Sequence, residues 1–227
     1  MAEQPSATAR RIVIAGGHGK IARELIKLLN ARGDRAIALI RNPDHEEEIT
    51  ALGAEPLLLD LETATVDEVG QALVGADAAV FAAGAGPGSG ADRKDTVDRG
   101  AAVLLADAAE AAGVRRFIQV SSFGAGAPIA EGTDEVFAAY LVAKTAAEED
   151  LRARSYLDWT ILRPGGLLDD NPTGRVALTA PPLERGTVAR SDVAAVIAAL
   201  LDAPNTAKKT LMLTSGPTPV VAAVAAL

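Results

Sequence analysis

The sequence predicts an α/β fold with a doubly wound parallel sheet, and three observations carry that expectation. Apolar, β-branched runs alternate with helical segments along the whole length. The first run, Arg11-Ile12-Val13-Ile14-Ala15, stops at Gly16-Gly17-His18-Gly19 and opens at once into a helical pattern, Arg23-Glu24-Leu25-Ile26-Lys27-Leu28-Leu29. The 227 residues are 49% hydrophobic but only 3% aromatic, which suits helices packed closely on a sheet better than an aromatic-rich sandwich.

The glycine turn comes first in chain order. A helix N-terminus presents unpaired N–H groups and about half a positive charge, so a pyrophosphate is stabilised there. Gly16 permits the tight turn, and Gly19 removes a side chain that would block close approach of a phosphate. Ala22 fills the third position with the next smallest residue. An ordinary glycine turn is the alternative; the strand before and the helix after weigh against it.

A tail over residues 1–9 precedes this first strand. Gly33-Asp34 then turns the chain into a second strand over residues 36–40, which ends at Arg41. Asn42 reads as an N-cap with Pro43 in the first helical position, where its missing N–H costs nothing. Glu46, Glu47 and Glu48 follow as a solvated helix face favoured by the helix dipole. The third strand, residues 56–59, ends at Asp60, and Thr65-Val66-Asp67-Glu68 has the form of a capping box for the next helix. The fourth strand, residues 78–83, runs into a glycine-rich stretch over residues 84–90. That stretch is either a linker or part of the ligand side of an open parallel sheet, which lies at the strands' C-terminal ends.

A helix over residues 96–112 leads to a fifth strand over residues 116–122. Thr133 is expected to cap a helix over residues 134–154, followed by a sixth strand over residues 159–162 that ends at Arg163-Pro164-Gly165-Gly166. Prolines at 172, 181 and 182 loosen the pattern before a helix over residues 191–201 and a last strand over residues 210–213. Residues 210–227 read as strand, turn and helix rather than a membrane span.

Composition narrows the function classes. A net charge of −8 repels a phosphate backbone, so nucleic acid is not expected as a partner. The chain has no cysteine, which excludes disulfides, thiol nucleophiles and cysteine-ligated metals. His18 and His45 are the only histidines, so no histidine metal cluster is expected. Residues 1–11 are polar and lack the apolar core of a secretory signal, making the cytoplasm the default location. No membrane partner is expected, and no motif specifies an oligomeric state.

Tyr140-Leu141-Val142-Ala143-Lys144 is the most informative short stretch after the glycine turn. Helical residues four apart share a face, at about 5–6 Å between β-carbons, so phenol and ammonium can look into one site. A phenol is a poor acid or base near neutrality, and a nearby positive charge stabilises its phenolate. The bare spacing is common; its position between the fifth and sixth strands gives it weight. Ser121 and Ser122 close the fifth strand, where a hydroxyl either bonds a substrate oxygen or satisfies loop backbone.

With these residues in place, the chain resembles the short-chain dehydrogenase/reductase family, in its atypical, NAD(P)-binding, epimerase/dehydratase-like branch. The resemblance spans nearly the whole chain after residue 10. It rests on Ala15-Gly16-Gly17-His18-Gly19-Lys20-Ile21-Ala22, Val97-Asp98-Arg99-Gly100, Arg115-Arg116-Phe117-Ile118-Gln119-Val120-Ser121-Ser122, the Tyr140 and Lys144 pair, and Leu162-Arg163-Pro164-Gly165-Gly166. It implies a single Rossmann-like domain over residues 1–227, with a dinucleotide-binding core at 10–163 and a small substrate-side region at 164–227. It also implies roles. Tyr140 would exchange a proton with the substrate oxygen, Lys144 would hold the nicotinamide ribose and bias the phenol, and Ser122 would orient the reacting oxygen. Gly16, His18, Gly19, Lys20 and Ile21 would surround the phosphates, and Asp60 and Leu61 would border the adenine. Ala82, Ala83 and Gly84 would pass beneath the cofactor, with Pro164 and Gly165 at its nicotinamide end.

Charge speaks to the choice of cofactor. An NAD-type fold places a carboxylate roughly 20 residues beyond the glycines to accept the ribose hydroxyls. Here the second strand carries no acid and ends in Arg41, whose guanidinium can bind a 2′-phosphate with two hydrogen bonds. NADP is therefore expected over NAD; an unselective site with a solvated Arg41 is the alternative. Lys20 either adds to that field or is an exposed helix lysine. Asp169, Asp170 and Arg175 either line the cleft or belong to a surface loop.

Relatives that act on nucleotide sugars carry a larger C-terminal region than the stretch from Gly166 to Leu227, which favours a small-molecule substrate. The expectation is an NADP-dependent oxidoreductase acting on the carbonyl or alcohol of a small metabolite. The alternatives are an epimerase or dehydratase with transient hydride transfer, or a non-catalytic NADP redox sensor.

Overall fold

The computed structural model describes residues 9–86 and 88–227; all but the last residue of the expected N-terminal tail, and Pro87 of the glycine-rich stretch, lie outside them. The elements are β1 (Arg11–Ala15), α1 (Lys20–Ala31), β2 (Arg35–Ile40), α2 (Glu46–Ala51), β3 (Glu55–Leu58), α3 (Val66–Leu73), β4 (Ala78–Phe81), α4 (Ala91–Arg93), α5 (Ala101–Ala111), β5 (Arg116–Val120), α6 (Glu135–Ala153) and β6 (Asp158–Pro164). Then come β7 (Gly166–Leu168), β8 (Arg175–Thr179), β9 (Thr187–Ala189), α7 (Arg190–Leu200), β10 (Lys209–Ser215), β11 (Thr218–Pro219) and α8 (Val220–Ala225).

The main sheet runs β11-β8-β10-β6-β5-β4-β1-β2-β3. The seven strands from β10 to β3 are parallel and form the Rossmann-like core, with the order reversing between β1 and β4. Ligands bind at such a reversal, outside the strands' C-terminal ends. Two-residue periodicity sorts the central strands onto two faces. Ile12, Ile14, Ala36, Ala38 and Ile40 pack under α1 and α7; Val13, Ala15, Ile37 and Leu39 pack under α3 and α5. A fully buried Leu or Ile contributes about 2 kcal/mol relative to an exposed one, so covering both faces fixes the register.

Four departures from the sequence reading have physical causes. The sheet is not wholly parallel, because β8 and β11 add an antiparallel edge beyond β10. The loosened stretch after Gly166 holds three short strands, with β7 and β9 pairing as a separate parallel ribbon; such short segments carry too little periodicity to read. The helix expected from Thr96 begins five residues earlier, at α4, and passes through a π-helical segment, Lys94–Gly100, before α5. Asp134, not Thr133, caps α6: its carboxylate accepts from Phe137 N at 2.9 Å, while the Thr133 hydroxyl donates to Ala130 O.

Candidate functional site

The glycine turn closes against the sheet. Gly16 takes φ +75°, and a β-carbon there would lie 2.6 Å from Ala83 Cα; at Gly17 it would lie 2.5 Å from Ala38 Cβ. The need for glycine at 17 is thus packing on β2, which the sequence reading missed. Gly19 is the N-cap of α1 and supplies no side-chain cap, leaving first-turn N–H groups available to a ligand.

Two adjoining recesses lie over the strand ends and share residues 82–86. The first, about 310 Å³, is bordered by Gly16, His18, Gly19, Arg41, Asp60, Leu61 and the shared stretch, Ala82, Ala83 and Gly84 among it. His45 joins them, its ring stacked on His18 at 3.4 Å, and His18 Nε2 lies 2.7 Å from Glu48 Oε2. Arg41 donates to Glu62 at 3.1 Å, and Glu62 is also held by Arg93 and Thr96. The Arg93 guanidinium beside Glu62 holds its carboxyl below the usual carboxylate range, outweighing the effect of burial. Lys20 stands apart, on Asp169 at 2.6 Å. Asp169 also accepts from Arg190 and, with Asp170, borders a separate polar recess; Arg175 is spent on Pro217 O.

The second recess, about 480 Å³, brings together Ile21, Lys94, Asp98, Ser121, Asp134, Phe137, Tyr140, Lys144, Pro164 and Leu167. Lys144, one turn along α6 from Tyr140, is buried, with Nζ 3.1 Å from Asp98 Oδ1, and it donates to Val120 O at 3.2 Å and to Ala83 O at 3.5 Å. Asp98 Oδ2 accepts from Ala85 N at 3.2 Å. The Tyr140 ring lies 5.8 Å from Lys144 Nζ and 5.8 Å from Lys94 Nζ. Phe137 stacks beside it.

Ser122 does not border this recess. Strand β5 ends at Val120, so Ser121 takes the position at the strand end, and its hydroxyl donates to buried Glu148 at 2.5 Å. Glu148 in turn binds Arg163 through two hydrogen bonds, of 2.5 and 2.9 Å. Gly165 is likewise outside the recess, where a β-carbon would strike Gly186 O at 2.3 Å. Asp98 and Lys94 are the site residues that sequence reasoning missed. Asp98 stood in a quoted motif without a role, because a helical period of 3.6 does not reveal which side chains a π segment turns inward.

A nicotinamide dinucleotide fits this groove. The uncapped N-terminus of α1 meets the requirement of a pyrophosphate, and the adjoining recesses flank it with a guanidinium at one end and a phenol at the other.

Comparison with known proteins agrees. A protein family described as NAD(P)H-binding matches residues 16–204. The uncharacterized sugar epimerase YhfK of Bacillus subtilis is 38% identical over 215 residues, covering 94% of this chain and 98% of that protein. A provisionally named NAD-dependent epimerase/dehydratase of Bacillus halodurans superposes with TM-score 0.89 at 37% identity, covering 96% of this chain and all of that one. The oxidoreductase ylbE of Lactococcus lactis follows at TM-score 0.82 and 27% identity, covering 96% of each chain. Among the described residues no helix is long and apolar enough to cross a membrane. The chain belongs to the NAD(P)H-binding family of atypical short-chain dehydrogenase/reductase-like proteins.

Proposed function

We propose that this protein is an NADP-dependent oxidoreductase that reduces a carbonyl, or oxidises the alcohol, of a small metabolite. The observation that carries this reading is Tyr140 at the wall of the second recess with the fixed ammonium of Lys144 behind its ring. The nicotinamide, when bound, supplies or accepts the hydride. Tyr140 gives a proton from its phenol oxygen to the substrate oxygen, or takes it back in the reverse direction. Lys144 stabilises the resulting phenolate as a fixed charge, because Asp98, Val120 O and Ala83 O hold its ammonium in place. Asp98 acts through Lys144 and is a positioning residue. Arg41 selects NADP by binding the 2′-phosphate, and Pro164 and Leu167 shield the far side of the recess.

Tyr140→Phe tests the assignment. NADPH affinity should stay within about twofold of the parent, while carbonyl-dependent NADPH oxidation falls by about a hundredfold or more, the usual range for loss of a general acid. Unchanged turnover on the same panel of carbonyl compounds would remove Tyr140 as the proton donor.

The name of the Bacillus subtilis relative supports a second reading, epimerisation through transient hydride transfer. A reductase consumes one NADPH per turnover, whereas an epimerase returns it, so following absorbance at constant substrate conversion separates the two.

A further inference from the structure

Lys94 is the lysine of the second recess that the mechanism above leaves unused. It lies in the π-helical segment, is 9% exposed, and donates to Gly86 O at 3.0 Å and to Ser89 Oγ at 2.8 Å. Both partners are neutral. Among the described residues no carboxylate comes within ion-pairing distance of it. Of the acids that line the recess, Asp98 pairs with Lys144, while Asp134 accepts from the backbone of Phe137 as the cap of α6 and forms no ion pair with Lys94. Lys94 is therefore a buried ammonium without a direct ion-pair partner, although the Asp134 carboxylate lines the same recess. Removing an ammonium from water without an anion is costly, and an anionic ligand recovers that cost.

The surroundings narrow the ligand. Val136 and Phe137 present apolar surface to the same recess, and Phe137 is 49% exposed. One ammonium flanked by apolar and aromatic walls suits a singly charged carboxylate on an apolar body; a phosphate would leave further charge unmatched in this setting. We infer that Lys94 forms an anion subsite that selects substrates bearing a carboxylate, with their apolar portion lying against Phe137 and Tyr140. The inference rests on reading this recess as the substrate end of the groove.

The test is calorimetric titration of the NADPH-loaded protein with 4-phenylbutyrate and with its neutral isostere 4-phenylbutanamide, neither of which offers a reducible ketone. The parent should bind the carboxylate about tenfold or more tightly than the amide, as expected for a charge-assisted hydrogen bond. Lys94→Met should bring the two within about twofold while keeping NADPH affinity, and Lys94→Arg should retain the preference. Equal affinities in the parent, undetectable binding of both compounds, or a preference that survives in Lys94→Met would overturn the subsite. If Lys94→Met fails to fold, as judged by circular dichroism, Lys94→Gln serves in its place. A Lys94-dependent preference combined with unchanged turnover in Tyr140→Phe would leave the subsite standing and remove the catalytic reading. Loss of turnover in Tyr140→Phe without any carboxylate preference would do the reverse.

Discussion

The guanidinium of Arg41 is 55% exposed and rests on a carboxylate that does not depend on it, since Arg93 and Thr96 also hold Glu62. Arg41 can therefore turn to a 2′-phosphate without stranding Glu62. If it does, Arg41→Ala should weaken NADPH binding by about tenfold or more and NADH binding by less than about twofold, measured by fluorescence titration of each nucleotide. An equal loss for both would show that Arg41 acts on a part common to the two nucleotides and would overturn its role in selecting the 2′-phosphate. Lys144 shows how context redirects a side chain. Its spacing from Tyr140 is plain in the sequence, but only the fold places its ammonium on Asp98, Val120 O and Ala83 O, 5.8 Å from the Tyr140 ring.

The helices differ in how much of their definition is local. For α3 the whole signal lies within four residues: the Thr65 hydroxyl accepts from Glu68 N, and the Glu68 carboxylate accepts from Thr65 N. Thr65→Ala should accordingly cost about 1 kcal/mol in urea unfolding, with m unchanged, because one first-turn donor loses its partner. An unaltered midpoint would mean that packing of Val69 and Leu73 alone sets this helix. The segment from α4 to α5 is the opposite case. Its π segment buries Lys94, Val97 and Asp98, with Asp98 held by Lys144 from α6, and no local pattern announces it.

On the face of the sheet covered by α1 and α7, the ends of these two helices are tied together by charge beside the start of β1. Asp34, between α1 and β2, accepts from Arg10 backbone N at 3.2 Å, from the Arg10 guanidinium at 3.1 Å and from Arg32 at 2.6 Å, while both arginines also reach Asp202 beyond α7. Burial pushes the Asp34 carboxyl up, but the hydrogen bonds from Arg10 and the charge of Arg32 outweigh it and hold it below its ordinary value. A carboxyl whose folded pKa is depressed stabilises the fold above its unfolded pKa, about 3.9, and that contribution fades as pH falls through the folded value. Asp34→Asn should thus be about 2 kcal/mol less stable than the parent at pH 7, and the difference should shrink below about pH 4, as read from urea midpoints across pH. A gap that stays constant down to pH 2 would exclude this linkage.

Much of the molecule follows from its amino-acid order alone. Hydrophobic runs, turn glycines and caps encode backbone conformation within a few residues, so the strand, turn and helix at Gly16, the α/β alternation, the Thr65 cap and the shared face of Tyr140 and Lys144 could all be read directly. Folding decided what depends on groups distant in the chain. It turned Lys94 and Asp98 into the groove, gave Lys144 to Asp98, directed Ser121 to Glu148 and left Ser122 outside, and added the antiparallel edge of β8 and β11. Periodicity specifies which face of an element is buried, but the partner a buried polar group finds is settled only when the elements pack, and leaving one unpaired carries a cost.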